Sequence, residues 1–177
     1  MNKYILSLFM LMATCLAFAQ DASFLIKQYR KVDGAKYENM TKEVKKKAKK
    51  EKYTNPKLFD STERLIKVEY VQVSLNEQQK EALTENIKNV DGYKQLYEKK
   101  SNVDNMLSEN WTLFPMQQYY GIEQDGRVSD AIIRLETFLE NKSTSMIIHV
   151  TGDFTLEELM QILSIEETKS VELNPTE

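Results

Sequence analysis

The sequence predicts a single α+β domain, a largely antiparallel sheet with helices packed on one of its faces. Three observations lead there. Helical and extended patterns alternate in the first half of the chain, whereas extended patterns follow one another directly in the second. The turn signal Asp125-Gly126 separates Tyr119-Tyr120-Gly121-Ile122 from a run in which Ala131, Ile133 and Leu135 alternate with Asp130, Arg134 and Glu136. That is the two-residue period of a hairpin strand with one solvated face. The length of 177 residues, less a short leader, suffices for one hydrophobic core and not for two.

The elements follow in order. Ser23 is placed to cap a short helix through Lys31 with Phe24, Leu25 and Tyr29 inward, a lid at most, before Asp33-Gly34 turns the chain. Lys36 to Asn39 reads as a brief strand. Thr41 opens a lysine-dense helix whose thin apolar stripe is Met40, Val44 and Ala48. Asn55-Pro56 pairs an N-cap with proline at the first helical position, and Leu58, Phe59, Thr62, Leu65 and Ile66 keep helical spacing behind it. Val68 to Val73 is β-branched and aromatic, hence a strand. Ser74 with Glu77 fits a capping box for a helix bearing Ala82, Leu83, Ile87 and Val90 and ending at Gly92. Tyr93 to Tyr97 reads as a further strand and Ser101 to Asn110 as a loop. Trp111, Leu113, Phe114 and Met116 form a cluster in which Pro115 forbids a central strand.

After a polar turn at Asn141-Lys142-Ser143, Met146-Ile147-Ile148-His149-Val150 is apolar on both sides except at His149, the pattern of a central strand covered on two faces. Gly152-Asp153 breaks it. Thr155 with Glu158 makes a capping box, and Leu156, Leu159, Met160 and Leu163 form one stripe that can close over the sheet.

The chain opens as an export signal. Lys3 precedes an apolar run from Tyr4 to Leu16, too short to cross a bilayer, and Ala17-Phe18-Ala19 offers small residues at the two positions a signal peptidase reads. Residues 1–19 are therefore expected to be cleaved, 20–165 to form the domain, and 166–177, acidic and poor in apolar residues, to be a frayed tail. The mature chain would carry no transmembrane span. A lipoprotein acylated on Cys15 is the rival, weakened because Met12-Ala13-Thr14 lacks the residues that usually precede such a cysteine. Cys15 is the one cysteine, so cleavage excludes disulfides, a cysteine nucleophile and thiolate metal sites, and a periplasmic or cell-surface location follows.

Little of the rest points to chemistry. His149 is the one histidine, set mid-strand among apolar residues, and reads as structural. Asp125, Asp130, Asp153, Glu157 and Glu158 could in principle place two carboxylates together for hydrolysis, yet their spacing marks no pair. Five glycines, none close to another, make no phosphate-cradling loop. No cofactor and no metal site is expected. Charge is the stronger signal: the chain is acidic overall, with 27 acidic against 24 basic residues, but from Lys36 to Lys57 nine lysines face only Glu38, Glu43 and Glu51. Lys42, Lys45, Lys46, Lys49 and Lys50 are the candidate anion-binding surface, although the lysines fall on most sides of the helix. Nucleic acid is a poor partner for an exported chain, which leaves an anionic envelope component or a protein. A non-catalytic binding domain is the first functional expectation, and a carboxylate-based hydrolase the second.

The turn at Gln124-Asp125-Gly126, the strand through Ala131-Ile132-Ile133-Arg134-Leu135 and the close Ile147-Ile148-His149-Val150-Thr151-Gly152-Asp153-Phe154-Thr155-Leu156, together with the leader, resemble the exported bacterial family catalogued as domain of unknown function 4252. The resemblance implies export and an α+β fold. It implies no site residues, since the family has no assigned activity.

Overall fold

The computed structural model describes residues 21–100, 116–139 and 142–163. Among these, five helices, α1 (Ala22–Tyr29), α2 (Thr41–Lys50), α3 (Pro56–Glu63), α4 (Glu77–Lys88) and α5 (156–163), surround one six-stranded sheet. Its strands are β1 (Lys36–Asn39), β2 (Lys67–Val73), β3 (Lys94–Lys100), β4 (Met116–Gln124), β5 (Arg127–Leu139) and β6 (Lys142–Phe154), in the spatial order β1-β2-β6-β5-β4-β3. Every pairing is antiparallel, so the α+β class expected from the sequence is the one observed. The leader with Cys15, the loop and aromatic cluster through Pro115, and the acidic tail lie outside the described residues.

The β4–β5 hairpin turns where expected: Asp125 and Gly126 both take positive φ, 52° and 75°, as a two-residue turn matched to strand twist requires. β6 lies in the middle of the sheet between β2 and β5, because Ile147 and Ile148 supply an apolar side chain to each face. What differs from expectation is the number of covered faces. Helices pack on both. On one side, α2, α3 and α5 contribute Val44, Leu58, Leu159 and Ile162 over Val68, Ile133, Ile148 and Val150. On the other, α1 and α4 contribute Leu25, Ile26, Leu83 and Ile87 over Val71, Val73, Ile132 and Ile147.

That second layer removes the solvated face foreseen for β5, whose residues from Ala131 to Thr137 are all buried. Arg134 and Glu136 go inside because they satisfy each other. Nor is α1 a mere lid. Leu25 and Ile26 are essentially fully buried, which at about 1.5–3 kcal/mol each makes the helix part of the core. Its N-cap is Asp21 rather than Ser23: the Asp21 carboxylate accepts from the Ser23 amide at 3.0 Å, the helix starts two residues earlier than expected, and Phe24 is 49 % exposed.

Three further boundaries shift for physical reasons. α4 begins with a capping box at Asn76 and Gln79, not at Ser74 and Glu77. The chain stays extended through Leu75 so that Val73 and Leu75, two residues apart, both enter the core. Gly152 does not break β6, which runs on to Phe154; it is glycine because an added Cβ would strike the Phe154 ring and come within 2.8 Å of the Arg64 carbonyl. At the other end, Lys142 and Ser143 belong to β6 rather than to a turn.

Helical spacing also misplaced a few side chains. α3 ends at Glu63, leaving Ile66 73 % exposed, Ala82 faces solvent, and in α5 it is Ile162 with Leu159 that is fully buried, while Leu156 and Met160 flank them.

Candidate functional site

α2 is seated firmly. Met40, Val44 and Ala48 are buried as the stripe foretold, and Thr41 ties the helix start to β2, accepting from the Val68 amide at 2.9 Å and donating to the Val68 carbonyl at 3.3 Å. At about 100° per residue, Lys42, Lys45, Lys46, Lys49 and Lys50 fall within an arc of about 140° centred opposite Val44. Of the six lysines on the helix these five share its outer face, all exposed except the half-buried Lys45, and Lys47 lies off that face.

Ion pairs formed elsewhere, such as Lys94–Glu123 at 2.8 Å and Lys67–Glu69 at 2.6 Å, leave these five without a carboxylate among the described residues. Repulsion along the face is partly offset by position. Lys49 and Lys50, with Lys47, sit in the last turn, where the helix dipole favours cations by about 0.3–1 kcal/mol each, and Glu43 occupies the first turn. The basic surface continues past the helix: Lys52 lies over the Phe59 ring at 5.2 Å, Lys57 is exposed, and Tyr53 between them is 92 % exposed. Tyr53 was missed in the sequence because an aromatic beside a turn carries no periodic signal.

The acidic candidates disperse. Asp125 serves the positive-φ turn. Asp153 and Glu158 share Arg127, which reaches Asp153 Oδ1 at 2.7 Å and Glu158 Oε2 at 3.5 Å, while Arg64 reaches Glu158 Oε1 at 2.7 Å and the Asp153 carbonyl at 2.9 Å. Glu158 also completes the expected capping box: its carboxylate accepts from the Thr155 amide at 2.8 Å and Thr155 Oγ1 accepts from the Glu158 amide at 3.1 Å. These contacts set the charge states. The Arg127 hydrogen bond holds the Asp153 carboxyl below its usual value, and although burial pushes Glu158 up, the Thr155 amide and Arg64 outweigh it and hold it low. A general acid needs a raised pKa, and this cluster does the opposite. Glu157 is exposed.

Asp130 alone meets a different environment. On the α1 side of the sheet, His149 Nε2 stands 2.9 Å from Asp130 Oδ1, which also accepts from the Tyr93 hydroxyl at 2.7 Å. Across β2, Glu69 Oε2 lies 3.7 Å from His149 Nδ1, too far for a hydrogen bond, and is occupied by Lys67 while Tyr37 donates to Oε1 at 2.8 Å. The row Tyr37, Glu69, His149, Asp130, Tyr93 crosses the sheet through polar contacts and includes no serine, threonine or cysteine nucleophile. Burial and then the Asp130 charge push the Tyr93 phenol far up, so it stays a donor.

His149, at the centre of the row, is 3 % exposed. His149→Leu is expected to cost about 1–3 kcal/mol by stripping Asp130 of a partner, and His149→Gln, whose amide can still reach Asp130, less. Urea unfolding checks both.

No family model, no curated protein and no solved structure matches the chain. Among the described residues no group of three or more histidine, cysteine or acidic side chains could hold a metal ion, and no helix is long and apolar enough to cross a membrane. The latter says nothing of a β-barrel.

Proposed function

We propose that the protein is an exported, non-catalytic binding domain of the cell envelope that takes an anionic component on the outer face of α2. The observation that carries this is the set of Lys42, Lys45, Lys46, Lys49 and Lys50, unpaired with any carboxylate among the described residues and aligned opposite the buried stripe of a helix that packing and the Thr41 bonds hold in place. The fixed helix holds the row of like charges in register for a polyanion, so binding has to order the lysine side chains and not the backbone beneath them. The carboxylate-hydrolase alternative loses its support because Asp153 and Glu158 are paired with arginines and Asp130 is engaged by hydrogen bonds to His149 and Tyr93. Export rests on the leader.

Mass spectrometry of the exported protein should find Gln20 at the N-terminus; an acylated Cys15 there would establish a lipoprotein instead. For the surface, Lys45, Lys46, Lys49 and Lys50 exchanged together for glutamate should abolish co-sedimentation with anionic vesicles or envelope polysaccharide. Native binding should fall steeply with salt, because screening acts within about 8 Å at physiological ionic strength. Absence of salt-sensitive binding to any such surface would reduce the lysines to a solvated helix face.

A further inference from the structure

Resting on that reading of α2, we propose that the anionic component is a lipid bilayer surface, with Tyr53 as the side chain that enters its interface. Among the large apolar side chains exposed on the described surface, Tyr53 is the most exposed, at 92 %, against 73 % for Ile66 and 49 % for Phe24. Single exposed apolar residues are ordinary, and Ile66 is one. Tyr53 differs in its setting. It lies at the corner where α2 gives way to α3, preceded by Lys49, Lys50 and Lys52 and followed by Lys57, with Glu51 the one acid among them.

That corner is fixed rather than loose. The Glu51 carbonyl accepts from the Thr54 amide at 3.0 Å, the Asn55 amide at 2.7 Å and Thr54 Oγ1 at 3.2 Å, and Asn55 caps α3. Tyr53 thus projects from a closed turn. Lys52 folds back over Phe59, so the neighbouring cation does not cover the tyrosine.

A soluble polyanion would need the lysines alone. An amphipathic ring held out beside them fits a boundary that is charged on one side and apolar beyond, the place where tyrosine and tryptophan concentrate at membranes. The apolar stripe of α2 is spent on the core, so the charged face of the helix and Tyr53 are what the chain can present to such a boundary. The two contributions are separable. Each lysine near an anionic leaflet should matter about fivefold in affinity, whereas the tyrosine should matter roughly tenfold through burial of its ring, and only where an apolar phase exists.

The test compares vesicles of phosphatidylglycerol in phosphatidylcholine with soluble polyphosphate as probes of the full chain. Tyr53→Ser should weaken vesicle binding roughly tenfold and leave polyphosphate binding unchanged. Tyr53→Trp should restore vesicle binding and, compared with the native chain and its one tryptophan, Trp111, add a blue-shifted emission on the vesicles. Equal loss on both probes, or no loss on either, overturns the lipid assignment while the anion-binding reading stands. No native binding to either probe overturns both. If binding appears only when Glu166, Glu167 and Glu172 are changed to glutamine, the chain's own acidic tail is the occupant and the bilayer is rejected.

Discussion

Glu136→Ala is expected to lower stability by about 3–5 kcal/mol, the cost of leaving one charge of a buried pair without the other. Arg134 and Glu136 have side chains 5 % and 6 % exposed, on the sheet face beneath α4. Glu136 Oε1 accepts from Arg134 Nε at 2.9 Å, Arg134 Nη2 at 2.8 Å and Ser145 Oγ at 2.7 Å. Its Oε2 accepts from Ser143 at 3.3 Å and lies 3.8 Å from Lys80 Nζ. Removing the carboxylate strands Arg134 Nε and Nη2 and Ser145 Oγ, whereas Lys80 keeps Glu77 at 2.7 Å. Arg134 would keep only the Lys80 carbonyl at 3.2 Å and the Thr84 hydroxyl.

A melting temperature lower by about 10 °C is the corresponding thermal reading for a chain of this length. The decisive comparison is Arg134→Met with Glu136→Leu. Replacing both charges by apolar groups of similar size removes the unpaired charge as well as the pair, so the double variant should recover most of the loss. A double variant as unstable as Glu136→Ala would mean that the serine and threonine contacts, not the ion pair, dominate the cluster.

Gly121→Ala should be nearly as damaging, on the order of 3 kcal/mol or more, although it adds a single methyl group. Gly121 on β4 pairs with Ala131 on β5, beside a register shift after Ile122. A Cβ there would run into the Asp130 carbonyl oxygen and stand 3.2 Å from both Cα and Cβ of Ala131. Backbone on a neighbouring strand cannot swing aside as a long side chain can, so the strands must separate. Asp130 is the residue that would move, and it holds His149 and Tyr93. The variant should therefore unfold at lower urea and also disturb the His149 ring resonances at temperatures where the fold survives. A midpoint within experimental error of the native protein would show that the strands can part cheaply at the bulge.

Much of the architecture was legible because it rests on local rules. Asn55-Pro56, Thr155 with Glu158, and Asp125-Gly126 each state a boundary in two to four residues, and each holds. The basic face was visible as lysine density and the stripe of Met40, Val44 and Ala48 as its counterweight. Ser74 and Glu77 obeyed the same capping grammar and lost to Asn76 and Gln79, because the burial of Leu75 is a tertiary demand that the local pattern does not contain.

The alternation of Asp130, Arg134 and Glu136 with apolar residues shows where local reading stops. By itself it means one wet face, and a helix layer on one side. Only the tertiary structure discloses that α1 and α4 cover that face, since a charged residue is tolerated inside when its partner comes from the same strand or a neighbouring one, and partners two to nineteen positions apart leave no periodic trace. The sequence alone determined the fold class, the central place of β6 and the lysine density of α2, through periodicity, caps, turns and charge. The closed second layer, the buried pair and the projecting Tyr53 were decided by packing, because burial belongs to the assembled chain and to no residue on its own.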